Sequence, residues 1–169
     1  MGNSQVAAVE SDPITMEAIP EVHQFTETFD DGQLDGWQIF KGGDGNAAGN
    51  FALLPGGQLG GNGQTGGKVV ATGTSFKDFV YDVDMALYSA WPDQGGVIFR
   101  ATDLKDGFDG YNGYYFAVTV SGRAFLSRVA NQQYKELISV PYTGLPSGHV
   151  SIVANGNHIQ AFFNDIRRH

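Results

Sequence analysis

The chain has 169 residues, 41% hydrophobic and 17% charged, with 24 glycines; this describes one globular domain rich in turns, and excludes a disordered or collagen-like chain. A formal charge of −8 speaks against a nucleic-acid partner, because phosphate binding needs clustered Lys and Arg, while neutral or cationic ligands and metal ions stay open. The lack of cysteine removes disulfides, zinc–thiolate sites and thiol nucleophiles, and no apolar run approaches the roughly 18 residues of a bilayer span.

In chain order, residues 1 to about 23 carry two prolines and little periodicity, and read as a linker or flexible tail with "ITMEAI" as a short edge strand. The start "MGNSQVAAVESDP" has no basic region followed by an apolar one, so it does not read as a signal peptide. Val6 stands where a myristoylation pattern needs Ser or Thr. Residues 24–169 read as one β-sandwich domain.

Short apolar or alternating runs then recur between Gly, Asn, Asp and Pro: "QFTETFD", "GWQIF", "NFALL", "KVVAT", "FVYDVDMAL", "GVIFRAT", "YYFAVTV", "RAFLSRVA", "KELISV", "HVSIVAN" and "HIQAFFND". None shows a helical stripe, and strands at this spacing indicate a sandwich or barrel. Residues 56–67, "GGQLGGNGQTGG", read as a flexible loop. A phosphate-cradling loop is excluded there, because Lys68 is followed by the strand-like "VVAT" rather than by Ser or Thr and a helix.

Alternation assigns the faces. Phe79, Tyr81, Val83 and Met85 share one face, and Val80, Asp82 and Asp84 the other. Val97 and Phe99 share a face, with Ile98 and Arg100 opposite. Ile159, Ala161 and Phe163 oppose His158, Gln160 and Phe162. One apolar and one sparsely polar face per strand suits two packed sheets.

The runs "TFDDGQLDGWQIF", "FKDFVYDVDM", "GGVIFRATD", "YNGYYFAV" and "NHIQAFFND", over about residues 25–165, resemble the laminin-G/concanavalin-like jelly rolls of bacterial carbohydrate-active proteins. The pattern is most similar to the fructan (levan)-binding module attached to levanases and other fructosidases. The domain family acting on 3-keto-glycosides is similar in the same way. The resemblance implies an all-β, two-sheet antiparallel jelly-roll β-sandwich, extracellular or on the cell surface, with a structural calcium and without catalysis. Such domains continue past the "FFND" strand, whereas this sequence stops at "IRRH". Either its last strands are missing, or the N-terminal segment or another copy supplies them; the expectation is an edge left open for self-association.

Arg100 is expected at the end of a central strand, facing away from the core, where a guanidinium either donates to vicinal sugar hydroxyls or pairs with Asp82 or Asp84. Those two aspartates, roughly 7 Å apart along one strand, suit sugar diols, arginine pairing, a solvated face or an acid–base pair, although nothing in the sequence splits their pKa values. Trp91, in a loop, with Tyr111, Tyr114 and Tyr115, are candidate stacking surfaces for a sugar ring. Tyr114 and Tyr115 face opposite ways, so one of them belongs to the core, as does Trp37. Asp103, Asp106 and Asp109 miss the calcium-loop spacing and read as turn-formers, with Asp109 at the rim of a sugar site. For calcium, the resemblance points to Asp30 and Asp31 near the first strand. The histidines at 23, 149, 158 and 169 have no metal-ligand spacing, and no G-x-S-x-G elbow occurs.

The expected function is non-catalytic recognition of a polysaccharide or oligosaccharide such as fructan, by Arg100 with Asp82 or Asp84, flanked by Trp91, Tyr111 and Tyr114. A glycoside hydrolase or lyase domain of the same fold, and a structural or adhesive domain, are the alternatives.

Overall fold

The alternating runs become eleven strands: β1 Trp37–Phe40, β2 Asn50–Leu54, β3 Gln58–Asn62, β4 Lys68–Ala71, β5 Phe79–Ala86, β6 Gln94–Thr102, β7 Asn112–Thr119, β8 Arg123–Ala130, β9 Gln133–Pro141, β10 Ser147–Asn155 and β11 His158–Phe163. The computed structural model describes residues 24–43, 50–62, 67–88 and 94–164. Among them there is no helix.

Two sheets build the sandwich. One has three strands in the order β11-β10-β5, the other four in the order β6-β7-β8-β9, and every pairing is antiparallel. The core lies between them: Val97, Phe99, Phe116, Val118 and Ala124 from the four-stranded sheet meet Val150, Ile152 and Phe163 from the other. Phe79, Tyr81, Val83 and Met85 pack against this cluster, as do Ile159 and Ala161, so the period-two assignment of faces holds on β5 and β11, and on β6 as far as Phe99. Val150 and Ile152 are fully buried, and each such side chain contributes about 1.5–3 kcal/mol relative to exposure.

Four sequence expectations change. Residues 24–30 form no strand. The glycine-rich stretch is not all loop, since Gln58–Asn62 pairs with β2. Gly56 and Gly57, both at positive φ, make the turn, and the side chains of Leu54 and Phe51 lie over Gly60 and Gly61, supplying the packing that glycine lacks. Trp37 is half-buried outside the central core, against Phe25 and Phe29 at 5.9 and 5.4 Å between ring centroids, and its Nε1 donates to Glu27 Oε2 at 3.1 Å. Finally, among the described residues β6 is an edge strand rather than a central one.

The β1–β4 pair is fastened to the loop between β6 and β7. Gly107 N donates to Lys41 O at 2.9 Å, and Lys41 N to Asp106 Oδ1 at 2.8 Å. This places Lys68, on β4, beside that loop.

Candidate functional site

Arg100 does not meet Asp82 or Asp84. A bulge shifts the β6–β7 register between Phe99 and Thr102, and Arg100 takes φ 48°, so its side chain leaves the alternation of its strand. Nε and Nη2 both donate to Lys77 O, at 3.0 and 2.7 Å, and Nη1 donates to Gly156 O at 2.9 Å. Asp78 Oδ1 lies 3.4 Å from Nη2 and also accepts from Gly156 N. Lys77 precedes β5 and Gly156 lies in the β10–β11 turn, so Arg100 laces the edge of one sheet to the end of the other.

Asp82 and Asp84 share the exposed face of β5, as alternation requires, but their partner is His149 on β10. Its Nδ1 is 2.9 Å from Asp84 Oδ1 and its Nε2 is 3.3 Å from Asp82 Oδ1. The Asp84 hydrogen bond is the main cause holding the imidazole pKa above its ordinary value, with Asp82 adding to it and slight burial opposing. The histidine thus bridges the two carboxylates in place of the expected arginine.

The aromatic expectations divide. Tyr111 is only 4% exposed, so it is no stacking platform; burial pushes its phenol far up. Tyr114 is half-buried and stacks on Phe99 at 5.6 Å, on the core side of the sheet, which makes it the core member of the Tyr114/Tyr115 pair. Trp91 lies outside the described residues. The three loop aspartates do separate work. Asp103 accepts from the Asn112 amide, Asp106 caps Lys41, and Asp109 is half-buried, its pKa raised by burial against the opposing pull of Lys68. Asp31 Oδ1 accepts from Gln33 N at 2.9 Å in a local turn. Among the described residues no three His, Asp or Glu side chains converge as metal ligands, so Asp30 and Asp31 have no acidic or histidine side chain completing a cage.

A group of residues of which the sequence expectation names only Tyr115 occupies the outer face of the four-stranded sheet. Phe116, Val118, Ala124 and Leu126 point inward; their neighbours Tyr115, Ala117, Phe125 and Ser127 therefore point outward. That outer face is itself packed: Ala117, Phe125 and Ser127 are at most 2% exposed. Tyr115 meets Phe125 edge-on at 5.8 Å, and Ser127 Oγ donates to Tyr115 O at 3.2 Å. Above this layer the Arg123 guanidinium lies 4.6 Å from the Phe125 ring centre and donates from Nη1 to Glu136 Oε2 at 2.6 Å. That bond is the main cause holding the Glu136 carboxyl below the usual range. Tyr134, 45% exposed, stands on the neighbouring strand β9, opposite Val129 and beside Ser127 and Glu136 on the same face; burial raises its phenol pKa. Asp109 and Tyr134 both act on buried Tyr111. Lys68, 7% exposed, sits 5.8 Å over the Tyr111 ring and donates to Gly107 O; burial lowers its pKa despite Asp106 and Asp109.

This arrangement offers an accessible aromatic face and a pre-oriented guanidinium–carboxylate pair on one sheet, with the half-buried Asp109 carboxylate on the adjoining β6–β7 loop. Hydroxyl groups can donate to Glu136 and accept from Arg123 at once. The signal was present in the sequence. In "RAFLSRVANQQYKEL", Arg123, Phe125 and Ser127 alternate with Ala124 and Leu126. Asn131 and Gln132, both at positive φ, form a tight two-residue turn that brings Tyr134 opposite Val129 and Glu136 opposite Ser127.

Residues 24–168 match the 3-keto-alpha-glucoside-1,2-lyase-like domain family. Among solved structures, the carbohydrate binding module CBM66 from Bacillus subtilis is similar, with 18% identity and a TM-score of 0.63 over 77% of this chain and 74% of that one. No curated protein matches the chain. The structural likeness identifies the sandwich as a jelly roll of the concanavalin-like kind.

Proposed function

The chain belongs to the 3-keto-alpha-glucoside-1,2-lyase-like domain family, and from that premise we propose that it is a non-catalytic carbohydrate-binding module whose sugar site is the outer face of the four-stranded sheet. The observation that carries this reading is the exposed Tyr134 beside the Arg123–Glu136 pair, set on the packed layer of Phe125, Ser127 and Tyr115. Tyr134 packs on the C–H face of a pyranose or furanose ring, and Arg123 and Glu136 bind vicinal hydroxyls. A platform already ordered by its own contacts lowers the entropic cost of binding. The similarity to CBM66, a carbohydrate binding module, supports a glycan ligand, and a fructan is the favoured class. Affinity electrophoresis on levan, inulin, xylan and β-glucan tests it: retardation on at least one glycan, lost in Tyr134→Ala, is expected. Retardation on none, or unchanged retardation in Tyr134→Ala, overturns the site.

A second reading rests on Lys68 and Asp109, whose pKa values are moved toward each other, down for the amine and up for the carboxyl. Groups shifted in this way serve as acid and base. In a 3-keto-glycoside the proton at C2 is acidified by the adjacent carbonyl, and its removal expels the C1 substituent. Asp109 is the base in this reading. Release of aglycone from a 3-keto-glucoside, abolished in Asp109→Asn while glycan retardation persists, would establish it over simple binding.

A further inference from the structure

Beyond the outer face, the end of the sandwich holds an open cavity of about 370 Å³ lined by Arg100, Arg128, Asn112, Asn131, Thr102 and Tyr114, among others. Arg128 is the cross-strand partner of Tyr114, so its position faces the inner side of the sheet, yet it is exposed at the strand end. Among the described residues no hydrogen bond or ion pair engages its guanidinium. Arg100, beside it, is already held by Lys77 O, Gly156 O and Asp78. The rest of the wall is pre-set: Asn112 donates to Asp103 and accepts from Asn131 N at 2.8 Å, and Tyr114 is pinned on Phe99. Asp103 is the acid at this wall, and the Asn112 amide occupies its Oδ2. In a chain of net charge −8, this leaves the Arg128 fork, among the described residues, without a directly paired carboxylate in a polar recess of a size to hold a small ligand.

We propose that this cavity is a second binding site, independent of the outer-face reading, and that it takes the carboxylate of an acidic sugar. A planar guanidinium pairs with a carboxylate through two parallel N–H···O bonds, while Asn131 and Thr102 offer partners for ring hydroxyls and Tyr114 an apolar wall. A neutral sugar lacks the group that Arg128 selects.

The test is a titration of the ¹⁵N-labelled full chain followed at the Arg128 Nε–Hε resonance, assigned by its loss in Arg128→Gln. Sodium D-glucuronate, D-glucose and sodium acetate are the three probes. Saturable movement is expected with glucuronate, at least ~tenfold tighter than with acetate, and none with glucose. By calorimetry, Arg128→Gln is expected to weaken glucuronate by ~tenfold or more while leaving its thermal midpoint and its glycan retardation as in the parent. A still resonance under glucuronate overturns the site. Acetate as tight as glucuronate reduces it to a generic anion site and overturns the sugar assignment. If Arg128→Gln fails to fold, the three titrations of the parent chain decide on their own, with the resonance assigned in Arg128→Lys.

Discussion

Arg100 and Arg123 lie on the same four-stranded sheet, at the end of its edge strand β6 and at the start of β8, and their donors are spent differently. Arg100, with a side chain 20% exposed, gives its donors to two backbone carbonyls and to Asp78 across the gap between the sheets. Arg123, 44% exposed, gives one bond to one carboxylate, over an aromatic ring. The contrast teaches that an arginine at a strand end is judged by what already satisfies it. A guanidinium filled by main-chain acceptors is part of the fold, and one held by a single exposed carboxylate still has donors for a ligand.

The largest expected effect separates the two. Arg100→Ala leaves Lys77 O and Gly156 O without their charged donor and should lower stability by about 2 kcal/mol, read as a reduced midpoint in urea, with glycan retardation unchanged once the protein is folded. Equal loss of retardation in that variant would collapse the distinction. Tyr134→Ala should do the reverse: about a tenfold weaker glycan affinity, or ~1.4 kcal/mol, with a urea midpoint close to the parent. Arg123→Ala is expected to weaken binding by roughly threefold to tenfold and to cost less than about 1 kcal/mol of stability, because exposed ion pairs contribute little. A midpoint loss as large as that of Arg100→Ala would place Arg123 with the clasp instead.

The smallest effect concerns the third charged group, His149 between Asp82 and Asp84. Its pKa is raised in the folded state, so its stabilisation is fully present below the unfolded value of about 6.5 and fades as pH rises through the higher folded value. The thermal midpoint of the parent should therefore lose ~1–3 °C more than that of His149→Gln between pH 5.5 and 8.5. Parallel profiles would show that the bridge carries no weight.

Much of the architecture was legible in the strings of residues. The inward sets Phe79, Tyr81, Val83, Met85 and Ile159, Ala161, Phe163 follow from alternation alone; Phe163 belongs to the buried core and the others pack against it. The candidate site was much less legible. Tyr111 reads as an exposed ring beside an acidic loop, but the β1–β4 pair and Lys68 fold over that loop and bury it. Gln58–Asn62 reads as linker because glycine carries no pattern, yet Leu54 and Phe51 from the paired strand complete it. Tyr134 and Glu136 carry no signal of their own within "QQYKEL", since their setting comes from Ser127 and Arg123 across the hairpin.

What the sequence by itself determined was the all-β class and the inner and outer faces of β5, β11 and most of β6, because the two-residue period of a strand is a local property of the chain; the jelly roll was implied by the family resemblance. Only the tertiary structure decided which charges meet. Arg100 was turned from Asp82 and Asp84 by a single bulge and by the edge position of β6. His149 was brought to those aspartates by the pairing of β10 with β5, 65 and 67 residues apart in the chain. Strand order and register are non-local, and electrostatic partnership at 3 Å depends on both.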